Sequence, residues 1–351
     1  MSVLRELVRT DSQMRRAYDL ARKSRERVTS VYDASVMCNL RCDGCLFFTR
    51  DGGYTGAETL PPATQFRQLF KKEHLRGVNY PIFGGAEPGA HQEILTEAAK
   101  IWSEGMVHTN GTIKFSKDIP FRLYVSSWGH RENTNKWRGA DCYDKVLRNI
   151  AGDPRALINY TVNHANIDDI IPVVRDAAAH DVQVTFQAYS PTRDYTELLP
   201  NNEKNRHVFA RESTSTDNLL MTRADDVRAN EVIHEAIDQY PDTILFTKDL
   251  SASLFSRPGI FFDDITGDDD VPAGCSVARD TSHIHYRAGM AVEQDKTCGH
   301  PDILCKTCRL YTSIFTGYFA KKSESLKSRD DAREYLKAHE VFWSIFHVDE
   351  L

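Results

Sequence analysis

Residues 29–48 read "TSVYDASVMCNLRCDGCLFF", a short apolar and β-branched run followed at once by three cysteines. The run has the composition of a buried strand, which the structure-forming preferences of Val, Tyr and Thr support. Cys38, Cys42 and Cys45 follow it within one loop. Because a structural zinc site needs four ligands, three thiols at the end of a strand indicate a centre that leaves one position for another ligand.

The sequence that follows alternates further apolar runs with helical patterns as far as residue 190. The remaining strand-like runs lie at residues 78–83, 106–110, 121–127, 156–162 and 182–188. Six strands with mostly helical crossovers predict an α/β fold, a partial (β/α)6 TIM-type barrel, followed by a small α+β domain and a C-terminal helix. Function in such barrels lies at the C-terminal strand ends, where the cysteine loop is placed.

The overall composition is that of an ordinary globular protein of 351 residues, with 41% hydrophobic and 27% charged residues. No apolar run of about 18 residues predicts a membrane span, and the N-terminus lacks the apolar core of a secretory signal. The net charge of −6 disfavours nucleic acid as the main partner. These features predict a cytoplasmic protein without a disulfide framework.

The eight cysteines fall into two groups and one isolated residue. Three lie at residues 38–45, four lie at residues 275–308, and Cys142 stands apart. This grouping predicts two metal or cluster sites. An iron–sulfur cubane offers four iron corners, so three thiolates leave one iron for a small molecule; a zinc site and three unligated cysteines are the alternatives for the first group.

Polar motifs lie at or after the ends of the next four strands. The motifs are "FGGAEPG" at residues 83–89, "HTNGT" at 108–112, Ser126 and Ser127, "KWRGADCYDKVLRNI" at 136–150 and "VNHAN" at 162–166. In this order, and with the Cys-x3-Cys-x2-Cys spacing, they resemble the signature of the radical S-adenosylmethionine (SAM) superfamily. The resemblance covers roughly residues 30 to 190.

This resemblance implies a [4Fe–4S] cluster on Cys38, Cys42 and Cys45 and SAM on the fourth iron, which is reductively cleaved to a 5′-deoxyadenosyl radical. The residues implied to contact SAM are Gly84, Gly85, Glu87, Asn110, Ser126, Arg138 and Asn163. The sequence departs from the family at Gly44, where many members carry an aromatic residue near adenine. Phe47, Phe48 or Tyr32 are the candidates to replace that ring.

The second cysteine group consists of Cys275, Cys298, Cys305 and Cys308. It resembles the twitch domain, a shortened form of the SPASM auxiliary-cluster domain, which implies a second [4Fe–4S] cluster. Zinc on the same four thiols, or on three of them with His300, is the alternative. Between the first two cysteines we expect a β-hairpin around Ala288–Gly289, with His283 and His285 in surface or packing roles.

The predicted organisation has four parts. Residues 1–30 form an amphipathic helix, 31–205 the core barrel, 206–320 a connecting helix and the auxiliary domain, and 321–351 a helical tail. The polar segment 190–218 is a linker or an active-site lid. Cys142 is expected to be a buried spectator, with hydrogen-atom donation to a product radical as the alternative.

The resemblance implies an enzyme that abstracts a hydrogen atom from a polar small molecule, supplied with electrons by a flavodoxin- or ferredoxin-type donor. A sugar, aminocyclitol or aminoglycoside intermediate of antibiotic biosynthesis is the leading substrate class, with dehydrogenation, dehydration or epimerisation as the outcome. A peptide-modifying maturase ranks lower, because only about 30 residues precede the first strand. A nucleotide or modified-base enzyme and a non-catalytic metal-binding scaffold are the remaining alternatives.

Overall fold

The computed structural model describes residues 3–48, 54, 58–199, 212–256, 283–288, 303 and 308–348. Its strands are β1 (Thr29–Asp33), β2 (Tyr80–Gly84), β3 (Met106–Thr109), β4 (Arg122–Ser127), β5 (Ala156–Val162), β6 (Gln183–Ala188) and β7 (Ile284–Tyr286). They form one parallel sheet in the order β6-β5-β4-β3-β2-β1-β7. The predicted α/β class and the six βα strands of a partial TIM-type barrel are confirmed.

Helices connect most of the strands. They are α1 (Val3–Thr10), α2 (Ser12–Arg25), α3 (Ala63–Leu75), α4 (Gln92–Ala99), α5 (Arg131–Arg138), α6 (Tyr143–Ile150), α7 (Ile170–Ala178), α8 (Arg193–Leu198), α9 (Arg223–Gln239), α10 (Lys248–Phe255), α11 (Tyr311–Glu324) and α12 (Arg329–Phe346). A capping box of Thr222 and Asp225 starts α9. Residues 110–121 join β3 to β4 without a helix.

The two faces of the sheet have different surroundings. On the outer face, Tyr32 stacks on Tyr286 with ring centroids 5.5 Å apart and packs edge-on against Phe70 of α3. Successive strand residues point to opposite faces, and residues paired in register share a face. Asp33 and His285 therefore lie on the opposite face, which we call the inner face.

The register carries this inner face across the sheet. Residues paired in register on this face are Val31, Ile82, Met106 and Arg122. Four residues after Arg122 on β4, the same face carries Ser126, which pairs with Asn159 on β5. Polar inner-face residues are thus present on both halves of the sheet. They cluster toward the C-terminal strand ends, where the sequence places the functional loops.

Strand β7 differs from its prediction. Residues 284–286 were expected in a hairpin of the auxiliary domain, but they pair in parallel with β1 as the seventh strand of the barrel sheet. Without β7, β1 would be an edge strand with unpaired backbone groups. The expected second strand of the hairpin lies outside the described residues.

The terminal helices pack on each other rather than standing apart. The predicted single N-terminal helix is two helices, because Asp11 caps α2 by accepting hydrogen bonds from Gln13 N and Met14 N. Their apolar faces pack against α12. Helix α11 starts at Tyr311 and crosses the predicted boundary at residue 320, and α8 gives the predicted irregular segment 190–218 a helical start. Of the helices in the described ranges, none combines the length and apolarity needed to cross a bilayer.

Candidate cofactor site

The cysteine loop is held against the loop after β2 by backbone hydrogen bonds. Ala86 N donates to Ser35 O and Glu87 N donates to Met37 O, both at 2.9 Å. Gly85 has φ +96°, and a Cβ there would lie 2.4 Å from Ser35 O. Gly85 is therefore needed for the close approach of the two loops. From the sequence, the same glycine was predicted to contact SAM.

The three predicted ligand thiols are partly exposed and unbridged. Burial raises the pKa of Cys38, Cys42 and Cys45, and neighbouring thiolates raise the pKa of Cys45 further, to about 12. The loop therefore gathers groups that repel one another once ionised, and a cationic partner would stabilise them. In the described ranges, no three His, Cys, Asp or Glu side chains have the arrangement of a metal-ion site.

Asn110 ties the cysteine loop to the end of β3. Its Nδ2 donates to Cys38 Sγ at 3.5 Å and to Asn39 Oδ1 at 2.9 Å. Its Oδ1 accepts from Thr112 N at 2.9 Å and from Thr112 Oγ1 at 2.6 Å. Asn110 was predicted to contact SAM; in this structure its amide orients Cys38.

Glu87 links the loops after β2 and β3. Its carboxylate is fully buried and accepts hydrogen bonds from Gly89 N, Thr109 Oγ1 and Asn110 N at 2.8, 2.6 and 2.7 Å. Burial raises the pKa of Glu87, against the effect of these three hydrogen bonds. A carboxylate offers about four acceptor sites, so three of them are used to position the Gly84–Gly85 loop.

Arg138 brings a buried cation to the second cysteine. It is the last residue of α5, is 3% exposed, and its Nη1 donates to Ser126 O at 2.6 Å. Burial alone would lower the pKa of Arg138, but Cys42 and Cys142 raise it overall. Among the residues that the structure describes, its Nε has no hydrogen-bond partner, which leaves a charged donor open to an acceptor.

Cys142 lies next to this guanidinium, at the start of α6. The side chain is 2% exposed, and burial raises the pKa of its thiol. It shares Arg138 as an electrostatic neighbour with Cys42. The sequence assigned Cys142 no fixed place, and the structure puts it beside the predicted cluster loop.

Asn163 has a local role in the turn after β5. It is fully buried, its backbone N donates to Asn166 Oδ1 at 2.8 Å, and its Oδ1 accepts from Ala165 N at 3.0 Å. The side chain of Ser127 donates to Gly129 O at 3.5 Å. The hydrogen bonds given above for Asn163 lie within its own turn. Contact of Asn163 with SAM stays a prediction.

Tyr189 places an aromatic ring next to Gly44. Gly44 has φ +61°, and a Cβ there would lie 1.8 Å from Tyr189 Oη, which donates to Gly44 O at 3.4 Å. Tyr189 follows β6, so no local sequence pattern indicated this contact. Of the predicted replacements, Tyr32 is excluded because it lies on the outer face, stacked on Tyr286.

A buried Asp–His pair at the ends of β1 and β7 was also missed. Asp33 accepts hydrogen bonds from Tyr54 Oη and, at 3.0 Å, from His285 Nε2. Both members are less than 5% exposed. The surface role is excluded for His285, and the 252 residues between the two partners explain why no spacing pattern revealed the pair.

The second cysteine group falls almost wholly outside the described residues. Cys275, Cys298 and Cys305, together with His300, lie there, while Cys308 is described and partly exposed. The next residue, Arg309, anchors this end to the barrel: its guanidinium donates to Asp226 Oδ1 at 2.7 Å and to Leu254 O at 2.6 Å. The auxiliary cluster and its zinc alternative stay predictions.

Comparison with known proteins identifies the fold. No family model and no curated protein matches the sequence. A crystal structure of Streptococcus suis SuiB bound to S-adenosylmethionine superposes with a TM-score of 0.54 at 14% identity, covering 78% of this chain and 60% of that chain. The two folds are alike. SuiB bound to its precursor peptide SuiA gives 0.52 at 14% identity, covering 87% and 75%; this chain spans about 60% of SuiB in the SAM complex.

Proposed function

We propose that this chain is a radical SAM enzyme that binds a [4Fe–4S] cluster through Cys38, Cys42 and Cys45. The observation that carries the proposal is the joint placement of these thiols with Arg138 on the face where β1 ends. The fold shared with SuiB, which was crystallised with SAM, supports the same conclusion.

The residues fit this cofactor pair. Besides burial, the Cys42 thiolate raises the pKa of Cys38 and of Cys45, and a cluster that neutralises this charge suits the three thiolates. The open Nε of Arg138 suits a carboxylate, which accepts charge-assisted hydrogen bonds. Gly85 and Glu87 hold the loop that the sequence motif assigns to the methionine end of SAM.

When bound, the cluster and SAM supply a 5′-deoxyadenosyl radical that removes a hydrogen atom from the substrate. The chain's own part is to position the reactants. Asn110 orients Cys38, Glu87 fixes the neighbouring loop, and Arg138 orients a carboxylate beside Cys42. Such positioning is the main contribution of a protein to cofactor chemistry.

The inner face favours a polar, small substrate. Burial lowers the pKa of His108 to about 4, so this side chain is a neutral hydrogen-bonding group near pH 7. It contacts the Tyr124 ring, and Gln187 Nε2 donates to Thr161 Oγ1 at 2.9 Å further along the face. Neutral donors and acceptors of this kind suit a sugar, aminocyclitol or aminoglycoside intermediate, whose dehydrogenation, dehydration or epimerisation starts from the same hydrogen abstraction.

A peptide substrate is the second candidate. It is favoured by one finding, that SuiB of the same fold was crystallised with its precursor peptide SuiA. A peptide-modifying maturase would use the same cofactor residues and differ in what enters the inner face. The two candidates are distinguished by testing whether the enzyme modifies a peptide or a polar small molecule.

Two partners follow from the proposed chemistry. Reduction of the first cluster requires a low-potential electron donor of the flavodoxin or ferredoxin type. A second cluster on Cys275, Cys298, Cys305 and Cys308 would accept the electron that is released when a substrate radical is oxidised, whereas zinc there would be structural.

The proposal is tested by measuring 5′-deoxyadenosine after anaerobic reconstitution with iron and sulfide and reduction with dithionite in the presence of SAM. We expect 5′-deoxyadenosine from the wild type and none from Cys45→Ala. The matched control is Met37→Ala, because Met37 lies in the same loop with a side chain 51% exposed. Absence of 5′-deoxyadenosine from a wild type that has incorporated iron would support the scaffold alternative and overturn the proposal.

A further inference from the structure

The Asp33–His285 pair is rigidly held. Both carboxylate oxygens of Asp33 accept hydrogen bonds, one from Tyr54 Oη and one from His285 Nε2. Tyr54 Oη in turn accepts a hydrogen bond from Ala288 N at 3.0 Å. The imidazole plane of His285 is therefore fixed by a carboxylate whose own position is fixed.

This arrangement defines the chemistry of the other imidazole nitrogen. Because a carboxylate accepts, Nε2 of His285 is the donor in this hydrogen bond, and in that tautomer Nδ1 is an acceptor. Nδ1 is buried and has no hydrogen-bond partner in the part of the chain that the structure describes. Leaving a buried polar atom without a partner is unfavourable, so a ligand that donates to Nδ1 would be favoured there.

The pair lies beside the proposed cofactor site. A Cβ placed on Gly84 would be 3.8 Å from Asp33 Oδ1 and 3.9 Å from the tip of the Phe47 ring. Gly84 belongs to the loop proposed to hold SAM, and Phe47 follows Cys45 by two residues. A group bound at His285 would therefore be close to the proposed radical source.

A second unpartnered acceptor lies on the same inner face. Asn159 Oδ1 on β5 is buried, and it too has no hydrogen-bond partner among the described residues. Asn159 pairs in register with Ser126 and Thr185. Two open acceptors on one sheet face suit a ligand that carries several hydrogen-bond donors.

We infer that His285, oriented by Asp33, is a binding subsite for a hydroxyl or ammonium group of the substrate. The inference deepens the proposed function and rests on it for the identity of the substrate as the radical's target. A hydrogen-bond acceptor at Nδ1 favours ligand groups that donate hydrogen bonds over groups that only accept them. Asp33 is a positioning residue, because it acts through His285.

The alternative is that His285 only packs the sheet. His283, two residues earlier on the same face, offers the comparison, because its Nδ1 lies 2.8 Å from Thr29 Oγ1 and its side chain is equally buried. Removal of a packing histidine would alter stability alone. Removal of a binding histidine would alter affinity as well.

The test is equilibrium dialysis of the anaerobically reconstituted full chain with radiolabelled glucosamine, a probe with both hydroxyl and ammonium donors. Loss of one hydrogen bond corresponds to a rise in Kd of about three- to tenfold in His285→Gln. His283→Gln is the matched control and should bind as the wild type does. Thermal unfolding of each variant shows whether it is folded.

A second measurement uses the wild type alone and needs no variant to fold. Fully O-methylated glucose lacks hydroxyl donors, and we expect it to bind more weakly than glucosamine by at least the same factor. Equal affinity for both probes, equal weakening in His285→Gln and His283→Gln, or no glucosamine binding at millimolar concentration would overturn the subsite. Failure of SAM cleavage with the glucosamine preference intact would instead overturn the proposed function.

Discussion

At β1 and β7, each face of the sheet carries one buried carboxylate with a hydrogen-bond network. The two networks differ in whether all of their polar atoms are paired. On the outer face, Glu73 of α3 accepts hydrogen bonds from Ser30 Oγ, Tyr286 Oη and Arg76 Nη2 at 3.0, 2.9 and 2.7 Å. Burial alone would raise the pKa of Glu73, but these hydrogen bonds lower it overall. On the inner face, each oxygen of the Asp33 carboxylate accepts one hydrogen bond, yet Nδ1 of its partner His285 has no hydrogen-bond partner among the described residues.

This difference distinguishes a structural hydrogen-bond network from a candidate ligand site. The Glu73 network joins a helix to two strands and ends in groups that are all paired. The Asp33 network ends in an acceptor aimed at no described group, near Gly84 and Phe47. We infer that incomplete pairing of buried polar atoms at the C-terminal strand ends marks the proposed ligand site.

The largest effect is expected at the outer face. Glu73→Ala leaves Arg76, Ser30 and Tyr286 without their shared acceptor, and we expect the free energy of unfolding to fall by about 3 kcal/mol. Chemical denaturation measures this loss. Because the network lies on the outer face of the sheet, the folded variant should bind as much iron as the wild type. Loss of iron binding without loss of stability would contradict the distinction between the two faces.

The next effect concerns the close contact at the cysteine loop. Gly44→Ala combines the cost of a positive φ, about 1–2 kcal/mol, with a clash against Tyr189 Oη. We expect lower stability and lower iron incorporation. In a double-mutant cycle with Tyr189→Ala, the combined loss should be smaller than the sum of the single losses; strict additivity would show that the two residues do not touch.

His339 is the residue that could break the comparison. Its ring is buried far from the site and stacks on Phe319, and neither ring nitrogen has a hydrogen-bond partner within the described ranges. Burial lowers the pKa of His339 to about 3, from an ordinary 6.5. Between these two pH values the unfolded chain binds more protons than the folded protein does. The contribution of His339 to the free energy of unfolding is therefore complete above pH 6.5, and it falls by about 1.4 kcal/mol per pH unit as the solution is acidified.

The measurement is the free energy of unfolding against pH for the wild type and His339→Phe. We expect the variant to be equally stable or more stable near pH 7 and less sensitive to acid, since an aromatic ring replaces an aromatic ring. Identical pH dependence of the two proteins would show that His339 is not buried in solution. Reduced iron binding in the variant would mean that unpartnered atoms do not mark the site.

The smallest effect is expected at Asn159. Asn159→Leu replaces an amide with an open acceptor by an apolar group of similar size, so we expect a change in unfolding free energy of less than about 1 kcal/mol. Glucosamine binding should weaken nonetheless. A large loss of stability would show that Asn159 is paired in the folded protein and belongs with Glu73 rather than with His285.

The sequence predicted what depends on local pattern. The predicted β5 run at residues 156–162 has the observed bounds, because the pattern of an apolar strand lies in consecutive residues. The order of the motifs likewise placed Asn110 and Arg138 beside the cysteines. Each motif directly follows a strand or starts a helix, so its position is fixed by its neighbours in the chain.

What the sequence could not predict depends on contacts between distant residues. The three-residue strand β7 has too little pattern to reveal its pairing with β1. Tyr189 meets Gly44 across 145 residues, and His285 meets Asp33 across 252. A buried imidazole and a packing imidazole have the same sequence signature, so only the fold distinguished His285 from a surface residue.

The central claim is that three thiols after the first strand hold a [4Fe–4S] cluster, and metal analysis tests it most directly. Iron, sulfide and zinc are quantified on the anaerobically reconstituted wild type and on a variant with Cys38, Cys42 and Cys45 all changed to Ala. We predict that the wild type holds about four more iron and four more sulfide per chain than the variant. Equal iron in both proteins, or zinc in place of iron at this loop, would contradict the account.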